Sequence, residues 1–287
     1  MGKKYMKSTL LTIIGSPTVD GKKLSNMSAV CNDGYTAYGL KTRGSYNDGI
    51  MYPIAIQKIE KFTTSPKVTQ IVVKKDNKTA KLCRHANDIT FAEGYLYVAT
   101  MNPKDKTQLV KVSKDGKVKK EYLYRKGSSL SSFNNCTYVG KINGKLSFIV
   151  GIGSSDGRRR YNLVHIEGNE LVFDNVTYWS QVIPDNSVAN AIYYDPNKKR
   201  FYNTFYIKDS KGKIKTNYIY SYKLSDLTKS TELTPNNEYI VAADKNYTEK
   251  FEAECLTMID NKKYIVCNCG SSKGGKYNED GLFKITE

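Results

Sequence analysis

The chain has 287 residues, 45 lysines and arginines against 28 acids, and a formal net charge of +17. That length suits one large all-β domain or two small ones, and the charge favours anionic partners such as nucleic acid, acidic glycans or a membrane surface. The lysines are spread along the sequence rather than grouped, which reads as a solvated surface, and no stretch reaches the ~20 apolar residues of a membrane span.

Lys3-Lys4 ahead of Leu10–Ile14 is a short imitation of a signal peptide with no small-residue cleavage site, so the chain reads as unprocessed. No long apolar stripe recurs at helical spacing, and tyrosine is abundant (23) where tryptophan is nearly absent (1), so strands must carry the core. The six cysteines fall mostly inside β-prone runs. Cys267 and Cys269 share a strand face but have no Cys-x-x-Cys spacing or histidine beside them, so all six read as reduced, buried thiols of a soluble protein made inside a cell.

In chain order, Lys7–Gly15 is a β-prone run with no hairpin partner before Pro17, and residues 18–25 read as a polar connection. Ser28–Cys31, Tyr35–Lys41, Tyr52–Lys61 and Lys67–Lys74 follow as four strands. The clearest unit comes next: Ile89–Phe91, a Glu93-Gly94 turn, Tyr95–Ala99, Gln108–Ser113, an Asp115-Gly116 turn and Lys117–Tyr124. A third unit runs Cys136–Lys141, Leu146–Ile152, Tyr161–Ile166 and Leu171–Tyr178. A fourth runs Ala191–Tyr194, Phe201–Ile207, Tyr218–Leu224 and Ser230–Leu233. The last has three strands, Cys255–Ile259, Tyr264–Asn268 and Leu282–Thr286.

Four antiparallel strands repeated in this way are the blades of an all-β five-bladed β-propeller. The expected blades are residues 25–80, 85–127, 134–180, 187–239, and 251–287 completed by 7–15, in a single domain 1–287. One spare strand at the start and one missing at the end cancel if Lys7–Gly15 pairs with Leu282–Thr286. Ring closure of that kind removes two exposed sheet edges.

Aligning the unit starts brings a polar position into register. Asn87, Asn135, Asn190 and Glu254 occupy it, with Asn26-Met27-Ser28 a weaker match in the first unit. These side chains are expected to converge on the mouth of the central channel, with His85 adjoining them, as a ligand-binding set. Oxygen donors of this kind suit a hard cation such as Ca2+, held by Asn87, Asn190 and Glu254, and equally suit a small polar ligand, water or turn capping. Strand alternation turns Asp88 and Glu252 away if Asn87 and Glu254 face the axis, which counts against a two-carboxylate glycosidase. Arg158-Arg159-Arg160 after Ser154-Ser155-Asp156-Gly157 reads as a solvated hairpin tip or an anion contact, and His165 as a strand residue. Tyr35, Tyr38, Tyr46 and Tyr52 are candidates to stack on sugar faces.

The run His-Ala-Asn-Asp-Ile-Thr, a turn and Tyr-Leu-Tyr-Val-Ala-Thr resembles blades of NHL-type and gluconolactonase-type propellers. In the latter, an Asn-Asp at a strand start and a Glu elsewhere in the ring hold a divalent metal for lactone hydrolysis, and Asn87, Asn190 and Glu254 match those residue types. That family usually has six blades, and this sequence has no equivalent of its catalytic Asp. Across most of its length the chain resembles bacterial and phage-associated propellers of low-GC Gram-positive type, with His-Ala-Asn-Asp early and Glu252-Ala253-Glu254 in the last blade. The resemblance bears on the fold more than on the function, and the expected function is a binding or structural module that recognises a glycan or other anionic surface ligand, within a larger protein assembly such as a virion. The alternative is a Ca2+-dependent, lactonase-like hydrolase.

Overall fold

A computed structural model describes residues 2–43, 49–153, 158–210, 213–247, 249–271 and 274–287. Tyr46 and Ser154-Ser155-Asp156-Gly157 lie outside the described residues. The fold is all-β, and among the described residues the only helix is one 3-10 turn at Gly275–Asn278. No helix of the described residues is long and apolar enough to cross a membrane.

Antiparallel meanders of four strands follow one another along the chain. The first is Asn26–Asn32, Thr36–Thr42, Ala55–Glu60 and Lys67–Val72. The second is Ala86–Ala92, Tyr95–Thr100, Leu109–Val112 and Val118–Lys126. The third is Asn135–Ile142, Lys145–Ile152, Arg159–Glu167 and Glu170–Ser180. The fourth is Ser187–Asp195, Arg200–Lys208, Ile214–Lys223 and Pro235–Ala242. The last joins Lys250–Ile259, Lys262–Gly270 and Asp280–Thr286 to the N-terminal strand Gly2–Ile14. Tight hairpins set the register where two successive residues take positive φ, at Glu93-Gly94 (48° and 83°), Asn143-Gly144 (51° and 75°) and Asp260-Asn261 (48° and 61°). That geometry matches the right-handed twist of the strands it joins.

The N-terminal strand pairs antiparallel with the last one, from Lys7 opposite Thr286 to Ile14 opposite Asp280. It begins earlier than the expected Lys7, and Gly2–Lys7 also pair in parallel with Asn237–Ala242 of the fourth unit. That second contact corrects the sequence reading of the fourth unit. Its outer strand is Pro235–Ala242, whereas Thr231–Glu232 makes a short parallel contact with Tyr178–Trp179 of the third. Pro235-Asn236-Asn237 looks like a turn in sequence, but proline is tolerated at the first residue of a strand, where no ladder donor is missed. Outer edges are joined again where Leu123–Arg125 run parallel to Glu170–Val172. The exposed sheet edges that invite aggregation are thus largely paired.

The first strands of the five meanders form a closed cycle, each touching the first strands of the preceding and following units. Apolar side chains fill the wedges between units, for example Ile149, Leu163, Ile192, Phe201 and Phe205 between the third and fourth. All six cysteines are free and buried within this packing.

Candidate functional site at the start of the inner strands

Ladder irregularities mark the polar position that the sequence singles out. The pairing of the innermost strand slips between Met27 and Ala29, Ala86 and Asp88, Ala189 and Ile192, and Ala253 and Cys255. Ser28, Asn87, Asn190 with Ala191, and Glu254 therefore sit in bulges. Asn135 differs, pairing regularly with Gly151. A bulge adds one residue on one strand and re-aims the side chains around it.

The alternation used to turn Asp88 away from the ring axis assumes an unbroken ladder, and the bulge at Asn87 breaks it. Asp88 is fully buried among the inner strands. Its Oδ2 accepts the Cys136 N–H at 3.2 Å and the Ile192 N–H at 3.1 Å, and its Oδ1 accepts the Ile89 N–H at 3.0 Å. One carboxyl thus ties the second unit to the third and fourth. Burial pushes it well above the usual carboxyl range, against the three N–H groups and the Arg159 charge.

The expected ligand residues stand at the same end of the inner strands, each with its own partner. Asn135 is buried and accepts a hydrogen bond from Arg159 Nη2. Asn190 Nδ2 donates to the Ala253 carbonyl at 3.0 Å. His85 is buried, its Nδ1 donating to the Arg43 carbonyl at 2.9 Å. Burial lowers the His85 pKa, opposed by the Arg43 carbonyl, the Asn87 side chain and the Glu252 charge. Glu254 is buried and bonded to Asn268 Nδ2. Asn268 also donates to Asn26 Oδ1 at 2.8 Å and accepts the Met27 N–H at 2.7 Å, joining the last unit to the first. Burial pushes the Glu254 carboxyl well above its ordinary range, and the like charges of Glu252 and Asp280 add to it against Lys250 and Asn268.

Further charged residues complete this end, Arg159 and Glu252 named from the sequence and Lys41, Asp280 and Lys250 not. Lys41 is fully buried and pairs with Asp280 at 2.5 Å, while Lys250 pairs with Glu252 at 2.9 Å. Arg159 is 7% exposed, not a solvated tip, and its Nε has no hydrogen-bond partner among the described residues. Buried asparagines act as staples. Asn217 donates to the Phe251 carbonyl at 2.8 Å and accepts the Ala253 N–H at 2.8 Å, copying what Asn268 does for Met27. Their signal in the sequence is asparagine in the middle of an apolar strand, where it is ordinarily depleted.

Asn87, Asn190 and Glu254 make a poor site for Ca2+, which takes six to eight oxygen ligands and favours charged ones. Their one carboxyl is held toward its protonated form and is engaged by Asn268. Among the described residues no group of three or more His, Cys, Asp or Glu side chains is arranged to hold a metal ion. The proposed sugar-stacking tyrosines do not assemble: Tyr35 is 85% exposed, but Tyr38 and Tyr52 are buried. At the far end of the inner strands, a cavity of about 200 Å³ is lined by Asn32, Thr90, Thr137, Tyr193 and Met258. There Thr90 and Thr137 accept the N–H groups of Tyr138 and Tyr194 at 3.0 and 3.2 Å, so these hydroxyls serve to join strands.

No family model matches the sequence, and no curated protein matches it. Solved structures do match in shape. An exo-β-1,3-galactanase from Clostridium thermocellum superposes with TM-score 0.53 at 10% identity, over 96% of this chain and 61% of that one. A galactanase from Phanerochaete chrysosporium, in complex with β-1,3-galactotriose, gives 0.51 at 6% identity, over 96% and 64%. The chain thus spans less than two thirds of either galactanase. A member of the DUF4221 family from Bacteroides vulgatus, covered over 99% of its length, gives 0.49 at 9% identity. At such identities the likeness is one of fold, and the chain is an all-β protein of the β-propeller type.

Proposed function

We propose that this chain is a five-bladed β-propeller that binds an uncharged saccharide at the end where its inner strands begin, without turning it over. The observation that carries the reading is the set of bulged or buried polar side chains at one position of successive inner strands, with His85 and Asn268 beside them. Burial pushes the Glu254 carboxyl up and the His85 imidazole down, each away from its charged form, so the set offers mixed donors and acceptors. Hydroxyl-rich ligands match such a set, because each hydroxyl both donates and accepts. Asp88 is held by three backbone N–H groups and is fully buried, so it does not reach a substrate. The galactotriose named with one structural neighbour supports the ligand class.

A second reading, glycoside hydrolysis, draws on Glu252, which pairs with Lys250, and on Glu254, whose carboxyl burial pushes upward as a general acid requires. Glu254→Gln separates the two readings. For a binding module, calorimetry with galacto-oligosaccharides and a wider neutral panel should show the variant within about threefold of the wild type, since the amide keeps the size and the hydrogen-bonding capacity of the acid. His85→Ala should weaken binding about tenfold by removing a hydrogen bond. Sugar release by the wild type, lost in Glu254→Gln, would establish the enzyme instead. Failure of every neutral saccharide to bind would remove the proposal.

A further inference from the structure

The lysines that look dispersed in sequence are gathered by the fold. Residues 67–81 and 114–121 hold nine lysines against three acids, about a third of the chain's net charge in 23 residues. The outer strands Lys67–Val72 and Val118–Lys126 belong to the first and second units. They meet where Lys74 lies beside Lys117 in an isolated parallel bridge, with the Lys74 N–H donating to the Gly116 carbonyl at 2.8 Å. The hairpin carrying Lys22 and Lys23 reaches the same region, through Thr79 donating to Asp20 at 3.2 Å.

Between the two outer strands runs an open groove of about 600 Å³, its charged lining Lys74, Lys117 and Lys119 against Asp76 and Asp115. Gly116 lets the two strands approach closely beside it. It has φ +88°, and a Cβ there would come within 2.5 Å of Ile71 Cγ2 and 2.9 Å of the Val72 carbonyl. Part of the charge is neutralised locally, Lys75 by Glu121 at 2.5 Å, Lys114 by Asp33 at 2.5 Å and Lys117 by Asp115 at 3.2 Å. Lys67, Lys74, Lys78, Lys81 and Lys119 are exposed and have no ion pair among the described residues. Like charges brought side by side on neighbouring strands are destabilising. A bound polyanion relieves that repulsion.

We propose that this face is a docking surface for an anionic polysaccharide. The chemistry favours that class over nucleic acid. The face carries lysines and no arginine, giving point charges rather than the planar forks that grip phosphates in pairs. Single-stranded nucleic acid binds on exposed aromatic platforms, whereas Tyr122 and Tyr124 on these strands are buried. Lys117 and Lys119 both line the groove, Lys119 at an irregularity of the ladder where Lys120 pairs with Lys111 and Val118 with Val112, so two ammonium groups stand close together along its wall.

The test uses the full chain with a size-defined heparin fragment, polygalacturonate, and a mixed-sequence single-stranded DNA of matched charge. Lys74→Glu, Lys78→Glu and Lys119→Glu are combined in one variant, with the same three positions changed to Gln in another. The control combines Lys198→Glu, Lys199→Glu and Lys262→Glu, which alter three exposed lysines elsewhere by the same charge. The face variants should weaken polysaccharide binding at least about tenfold and flatten its salt dependence, since fewer counterions are displaced. The control should lose less than about threefold through the general field. Equal losses in face and control variants, no binding of either polysaccharide at physiological salt, or tighter binding of the DNA would each overturn the proposal.

Discussion

Asp88 and Glu254 show how burial gives two carboxyls different roles. Both carboxyls are pushed upward chiefly by desolvation, yet Asp88 is locked by three N–H donors while Glu254 stands among titrating neighbours. Asp88→Ala should cost on the order of 3 kcal/mol in urea unfolding, since it strands the N–H groups of Cys136 and Ile192 in a dry interior. A loss under about 1 kcal/mol would mean that those donors find other partners. For Glu254 the folded pKa lies above the unfolded value near 4.3. The native state then holds the extra proton, so the Glu254 contribution is fully present below that pH and fades as pH rises through the folded pKa. The melting temperature of Glu254→Gln relative to wild type should therefore climb as pH rises above about 4.3. A flat difference would contradict the assignment. The buried pair of Lys41 and Asp280 makes a third case. Lys41→Met alone should destabilise by about 3–5 kcal/mol by orphaning the carboxylate, and adding Asp280→Leu should recover much of it. A double variant no better than the single one would show that the Asp280 carboxylate is not the source of the loss.

Among the elements, the hairpins were the most legible, because Glu93-Gly94, Asn143-Gly144 and Asp260-Asn261 are turn residues between β-prone runs and take the positive φ those residue types permit. The spare strand at the start was legible by counting. Two things were not. Pro235–Ala242 looked like loop, since its pairing with the N-terminal strand is a contact across more than two hundred residues that no local pattern carries. The bulges were also silent, and with them the inward turn of Asp88: a polar residue at a strand start reads the same whether it extends the ladder or interrupts it. The N-terminal strand lies between Asn237–Ala242 and Asp280–Thr286, so its removal bares two edges at once. Deleting residues 2–14 should lower the melting temperature by at least about 10 °C and promote aggregation. An unchanged melt and a monomeric elution would show that the strand is dispensable to closure.

For the whole molecule, the closed cycle of inner strands leaves two distinct surfaces, the polar end where those strands begin and the lysine-lined groove outside the first two units. The first was visible in the sequence as an aligned position, although its partners Asn268 and Lys41 were not, and Arg159 was read as a loop residue rather than the partner of Asn135. The second was hidden, because Lys74 and Lys117 are 43 residues apart in sequence and become neighbours only when the outer strands meet. The central claim is that a saccharide is held at the polar end. Amide hydrogen exchange, with and without a neutral oligosaccharide selected by calorimetry, tests it most directly. The account predicts added protection at residues 26–28, 85–88 and 250–255, and none at 67–81 or 114–121. Protection confined to the lysine groove, or spread evenly around the ring, would contradict it.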